Sequence, residues 1–156
     1  MNYCEETIAM LKDDIECLKQ KVKEYRYDYL TGLKGRRDFD YDIRSKFTSC
    51  TEFYVCYYDV NGLHRTNREQ SFAAGDALIR QVANDIQHQK VAHTTYRTSG
   101  DEFYAICCGT PTHEVQNATM VCKNAEDFED ADALLKELDC LMIEAKTKLK
   151  TRRMDD

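Results

Sequence analysis

The run Phe53-Tyr54-Val55-Cys56-Tyr57-Tyr58 is aromatic and β-branched without polar alternation, so it reads as a central strand covered on both faces. It stops at Asp59-Val60-Asn61-Gly62, residue types that turn a chain. The flanking sequence supplies the covering elements. Arg36 to Phe47 is helix-like, with Phe39, Ile43 and Phe47 at fourfold spacing, and Gly75 to Ile86 places Leu78, Ile79, Val82 and Ile86 on one helical face. Two further strands, Ala92 to Thr98 and Glu102 to Cys108, flank Ser99-Gly100-Asp101 and predict a β-hairpin. Beyond the Gly109 to Thr112 breaker, Asn117 to Cys122 suits a short strand. Glu126 to Lys150 reads as a long helix with Leu134, Leu138, Leu141, Ala145 and Leu149 on one stripe.

Ahead of this domain, Ile8, Leu11, Ile15, Leu18, Val22, Tyr25 and Tyr29 fall at alternating gaps of three and four. That is a heptad seam with β-branched a positions and leucine at d, the pattern of a parallel two-stranded coiled coil. The competing reading is an amphipathic helix folded back onto its own domain. With 156 residues there is room for one compact domain and one appended helix, divided as 1–27 and 28–156.

The formal net charge of −6 argues against a surface that grips nucleic-acid backbone, so a bound phosphate should be small and metal-neutralised. No apolar run approaches the roughly 18 residues of a membrane helix, and MNYCEETIAMLKDD lacks the features of a secretion signal. The expected location is the cytoplasm, with no membrane and no nucleic acid as partner. The eight cysteines include no C-x-x-C pair and no metal-ligand rhythm, and they read as reduced thiols, with Cys56, Cys107 and Cys108 packed as hydrophobes.

Four motifs in order carry a family resemblance. Asp28-Tyr29-Leu30-Thr31-Gly32-Leu33 with Arg36, Arg37 and Phe39 resembles the opening signature of GGDEF domains. Asp59-Val60-Asn61-Gly62-Leu63 with Asn67, Gly75 and Asp76 resembles the family's metal-and-guanine segment; Arg97 to Phe103 resembles its signature hairpin, and Asp139 through Lys146 its closing helix. The resemblance covers about residues 28 to 150. It implies a palm-like α/β (α+β) domain with a ferredoxin-type βααβ core and a mainly antiparallel sheet. It also implies GTP as ligand, Mg²⁺ or Mn²⁺ as cofactor, and cyclic di-GMP as product of a homodimeric diguanylate cyclase. Nucleotide contacts are implied at Leu63, Asn67, Asp76, Ser99, Gly100, Lys146 and Lys150.

The chemistry of those positions is sensible in its own right. Joining two nucleoside triphosphates needs a 3′ hydroxyl to attack an α-phosphate, with divalent metal to lower the hydroxyl's pKa and offset phosphoryl charge. Hard Mg²⁺ is held by carboxylates from adjacent strand ends, here Asp59 and Asp101, with the Val60 carbonyl and Glu102 as further ligands. Glu102 is also the candidate base, which makes Asp59, Asp101 and Glu102 the catalytic set. Taken singly, Asp59 suits a turn-stabilising aspartate, and Asp101 and Glu102 a polar hairpin tip. Asp76 suits recognition of the guanine N1 and N2 hydrogens and equally a helix cap.

Several positions depart from the family pattern. Ser99 replaces a glycine where a positive φ is expected, His64 stands at a usual lysine, and Lys150 at a usual arginine. Arg68, Ser71 and Phe72 also differ. The stretch from Gly109 to Glu126 is markedly shorter than the resemblance implies, and Lys90 and His93 occupy the positions of the product-binding arginine and aspartate. Two functions follow: an active cyclase, or a catalytically weak GTP-binding module that reports through its coiled coil to a regulatory protein partner.

Overall fold

The Phe53–Tyr58 run forms the middle of a sheet. A computed structural model describes residues 3–49, 52–111 and 113–152. In it β1 (Tyr54–Val60) lies between β3 (Glu102–Cys107) and β4 (Ala118–Asn124), and β2 (Ala92–Arg97) extends the β3 side, giving the order β2-β3-β1-β4. All three pairings are antiparallel. The hairpin forms as expected, and β1, two helices, α3 (Leu63–Glu69) and α4 (Phe72–Gln87), and β2 supply the βααβ unit.

Both faces of the sheet are covered, as a strand without alternation demands. On one side α2 (Arg36–Ser49) and α5 (Ala131–Arg152) bring Phe39, Ile43, Leu134, Leu138 and Met142 onto Val55, Tyr57 and Tyr104. On the other, α4 (Phe72–Gln87) lays Ile79, Val82 and Ile86 on Cys56, Tyr58, Val60 and Phe103. A short helix, α3 (Leu63–Glu69), was not expected: LHRTNRE contains no apolar periodicity to announce it. The closing helix begins later than its pattern suggests. Asn124 caps a 3-10 turn at Ala125–Asp127, and the Asp130 carboxylate then accepts the Ala133 N–H at 2.8 Å to start α5.

The shortened connection has a specific geometry. Because β3 and β4 are both antiparallel to β1 and flank it, they run parallel, and the chain from 108 to 117 must travel the length of the sheet. Such a crossover normally uses a helix. Here it holds none among its described residues. Val115 buries itself against the α4 side, the Gln89 Nε2 donates to the His113 carbonyl at 2.9 Å, and the Asn61 N–H donates to the Asn117 carbonyl at 2.7 Å. Asn117 has φ 61°, so it ends the crossover and the strand starts only at Ala118.

The cysteine expectation needs correction. Cys56 and Cys122 stand directly opposite in the β1–β4 register, on one face, and are joined as a disulfide. Cys107 is the buried thiol that was expected, its acidity weakened by burial to a pKa of about 12, whereas Cys108 is exposed just past the strand. Cys50 lies outside the described residues.

The N-terminal helix α1 (Tyr3–Arg26) does not fold back. Its seam residues Ile8, Leu11, Ile15, Leu18 and Val22 are each more than half exposed, from 52% to 60%, which removes the folded-back alternative. Tyr29, the last position of the expected seam, falls beyond the helix in the following turn. The helix is fastened at its C-terminal end, where Arg26 pairs with Asp38 at 2.9 Å and its carbonyl accepts the Gly35 N–H. Of the expected 1–27 and 28–156 segments, residues 1–2, 50–51, 112 and 153–156 lie outside the described residues.

Candidate active site

Asp59 and Glu102 are cross-strand partners at the end of β1 and the start of β3, so the pleat puts both carboxylates on the α5 face. Asp59 belongs to the strand and is 5% exposed, which corrects its reading as a turn-stabilising residue. Burial raises its pKa, and the negative charges of Asp101 and Glu102 raise it further. The Lys146 ammonium opposes both, reaching from α5 to pair with Oδ2. The second oxygen, Oδ1, is buried with no partner.

The neighbouring groups hold this arrangement in place. Tyr57, two residues before Asp59 and therefore on the same face, donates its hydroxyl to Glu102 Oε1 at 2.9 Å. Burial and the adjacent Glu102 charge raise the Tyr57 pKa, so it remains a donor. Its ring stacks on Tyr104 with centroids 4.5 Å apart. The Val60 N–H donates to the Asp101 carbonyl at 2.9 Å, which ties the hairpin to the end of β1. A cleft of about 410 Å³ opens between Tyr57, Asp59, Glu102, Asp139 and Lys146, within the range of small-molecule sites. On the other side of Lys146 a second cleft is lined by Val60, Asn61, Gly62, Leu149 and Lys150.

The donor set suits a hard divalent cation in kind, since it consists of carboxylate and carbonyl oxygens and includes the unpartnered Asp59 Oδ1. Among the described residues no three His, Cys, Asp or Glu side chains are already gathered as a ligand cluster. The occupied oxygen of Asp59 carries the lysine instead.

A second group gathers where α3 meets α4. Gly62, at φ 75°, makes the turn from β1 into α3, a conformation that favours glycine. Asn67 Oδ1 is buried and unpartnered, and it lies so close to Gly75 that any Cβ there would overlap it; Leu63 Cδ1 stands 3.1 Å from the same point. Asp76 follows in α4. The helix is capped by Ser71, whose hydroxyl accepts the Ala74 N–H at 3.1 Å, so Asp76 lies beyond the first turn and is not the cap.

Other expected positions are more peripheral. Ser99 and Gly100 sit at the exposed hairpin tip, and Asn117 is the one non-glycine with positive φ among the described residues, so Ser99 carries no such strain. Arg97 holds the tip by donating to the Gly100 carbonyl at 2.8 Å while pairing with Asp28 at 3.0 Å. Burial alone would raise the Asp28 pKa, but hydrogen bonds from Thr31 and Arg97 outweigh it and hold the carboxyl below its usual range. His64, Lys90 and Lys150 are exposed, and the His93 side chain lies outside those described. Tyr57, Arg97 and Asp139 were not singled out as site residues; the i, i+2 relation of Tyr57 to Asp59 is the signal that could have found the first.

The family described as "Diguanylate cyclase, GGDEF domain" matches residues 25–131. Among curated relatives, the cyclic di-GMP phosphodiesterase PdeB of Shewanella oneidensis is 29% identical over 106 residues, and the diguanylate cyclase VdcA of Vibrio cholerae is 29% identical over 100. These alignments take in 65% and 64% of this chain but only 12% and 29% of those proteins. Among solved structures, the coiled coil and GGDEF domain of DgcB from Caulobacter crescentus, in complex with c-di-GMP, superposes with a TM-score of 0.75 at 17% identity, covering 93% of each chain. The S helix-GGDEF-EAL portion of Vibrio cholerae LapD gives 0.71 at 16% identity, over 90% of this chain and 38% of that one. The fold, the ordered motifs and the match across more than half of the sequence together make this chain a member of the GGDEF domain family.

Proposed function

We propose that the domain binds GTP with a divalent cation at the Asp59–Glu102 rim and, as a coiled-coil dimer, condenses two GTP into cyclic di-GMP with release of two pyrophosphates. The observation that carries this reading is a buried carboxylate with a free oxygen, opposite a tyrosine-held glutamate and paired with Lys146 of α5. Such a grouping contributes nothing to packing that an apolar pair would not, and it suits phosphoryl transfer.

In this mechanism Asp59, the Val60 carbonyl, Asp101 and Glu102 would hold Mg²⁺ or Mn²⁺, which supplies charge neutralisation at the α-phosphate and acidifies the attacking hydroxyl. Glu102 accepts the proton of the 3′ hydroxyl, its orientation fixed by Tyr57. Lys146 and Lys150 bind the distal phosphates, while Asn67 and Asp76 read the guanine edge and Leu63 packs against the base. Ser99 and Gly100 offer backbone at the hairpin tip. Two facing half-sites each present one nucleotide, which is what a parallel seam through Ile8, Ile15 and Val22 would arrange.

A second reading has its own support. The Lys90 and His93 positions, the helix-free crossover, and a matching segment within a relative named as a phosphodiesterase favour a GTP-binding regulatory module without turnover. Incubation with Mg²⁺ and GTP, followed by product analysis, separates the two. The cyclase reading expects cyclic di-GMP from the wild type and none from Glu102→Gln, with GTP affinity falling only modestly, because a proton acceptor acts mainly in the transition state. Absence of product from a wild type that binds GTP selects the regulatory module.

A further inference from the structure

We infer that Lys146 is the resident counter-charge of the empty site and competes with the divalent cation for Asp59, so that cation entry releases the lysine toward the nucleotide phosphates. The inference rests on the metal role proposed above for Asp59. Its basis is the asymmetry of that carboxylate. The side chain of Asp59 is 8% exposed; one oxygen is paired to Lys146 and the other is buried without a partner. A buried carboxylate needs a compensating charge, and here α5 provides it. An ammonium and a divalent cation cannot both sit against one small, enclosed carboxylate without mutual repulsion.

The geometry also gives the displaced ammonium somewhere to go. Lys146 is 37% exposed and borders both clefts: the one with Asp59 and Glu102, and the one with Val60, Asn61, Gly62 and Lys150. Its flexible stem lets the charge move from one cleft to the other without moving α5. A cation arriving alone must displace the lysine into solvent. A cation arriving with a triphosphate displaces it onto phosphate oxygens, so the two ligands bind with positive coupling.

Titration of the full-length chain with Mn²⁺ alone, followed by the paramagnetic signal of the free ion at about pH 8 where carboxylates are ionised, tests this without turnover. Lys146→Met should bind Mn²⁺ about tenfold more tightly than wild type, the scale of removing one unit charge beside a partly buried carboxylate. Lys146→Arg should stay close to wild type, and Asp59→Asn should lose the site. Lys146→Gln repeats the neutralisation should the methionine variant fail to fold. Adding GTP should tighten Mn²⁺ binding to wild type more than to Lys146→Met. If neutralising Lys146 leaves Mn²⁺ binding unchanged or weaker while Asp59→Asn still abolishes it, the competition is refuted and the metal site stands. If Asp59→Asn binds Mn²⁺ as wild type does, both the competition and the metal role of Asp59 are refuted.

Discussion

The two faces of β1 are equally buried and have different chemistry. Toward α4 the strand presents Cys56, Tyr58 and Val60; this face ends on an apolar residue, Val60 at 4% exposed, and its polar atom, the Tyr58 hydroxyl, is buried without a partner among the described residues. Toward α5 it presents Val55, Tyr57 and Asp59, apolar at the base, then a phenol, then a carboxylate that is just as enclosed. The pleat thus separates packing from chemistry within seven residues, and only the last residues of one face depart from a core. A one-residue slip in register would exchange the faces and put the carboxylate under α4, so the continuous pairing of β1 with both neighbours is itself a condition for the site.

The largest effect on stability should come from the α4 face. Ile86→Ala, at a fully buried position, should destabilise the domain by about 2–5 kcal/mol through lost burial and the cavity left behind. Urea denaturation would check this, and a loss below about 0.5 kcal/mol would show that this face is not the tightly packed one.

The carboxylate at the other face should behave in the opposite sense. Burial raises the folded-state pKa of Asp59 above its ordinary 3.8, so the folded chain holds a proton that the unfolded chain releases. Stability from this group is therefore gained as pH falls from above its folded pKa toward 3.8, and it is lost as pH rises through that window. Asp59→Asn should remove that pH dependence and leave the neutral-pH melting temperature unchanged or slightly higher, since Lys146 can be solvated once released. Thermal melts across the acid range would show it. A marked loss of stability in the variant would mean that the ion pair with Lys146 outweighs the burial of the carboxylate.

The smallest effect on the folded domain should come from the seam of α1. Leu11→Asp with Leu18→Asp, at two exposed positions, should convert a dimer to a monomer in light scattering while leaving the melting transition of the domain in place. A wild type that is monomeric at tens of micromolar would remove the seam from the account.

Much of this architecture is legible in the sequence because it rests on period and punctuation. The central strand, the hairpin about Ser99-Gly100-Asp101 and the apolar stripe of α4 all appear where their patterns lie. What is not legible depends on contacts between distant segments. Lys146 could be placed on a helix face, but its pairing with Asp59 follows from where α5 docks. The Cys56–Cys122 bond needs the β1–β4 register, which no spacing states. α3 lacks an apolar face, and the crossover is held by Gln89, Val115 and Asn117, whose partners lie elsewhere in the chain. Ser99 follows the same logic: the family glycine implies a positive φ that this hairpin does not adopt.

The central claim is that the Asp59 rim is where nucleotide and divalent cation meet. Calorimetric titration of GTP, in the presence of Mg²⁺, into wild type and Asp59→Asn tests it most directly. The account predicts binding to wild type and a loss of about tenfold or more in the variant, because one negative charge leaves the cation's ligand set. Equal affinity of the two chains for GTP with Mg²⁺ would contradict it and place the nucleotide elsewhere.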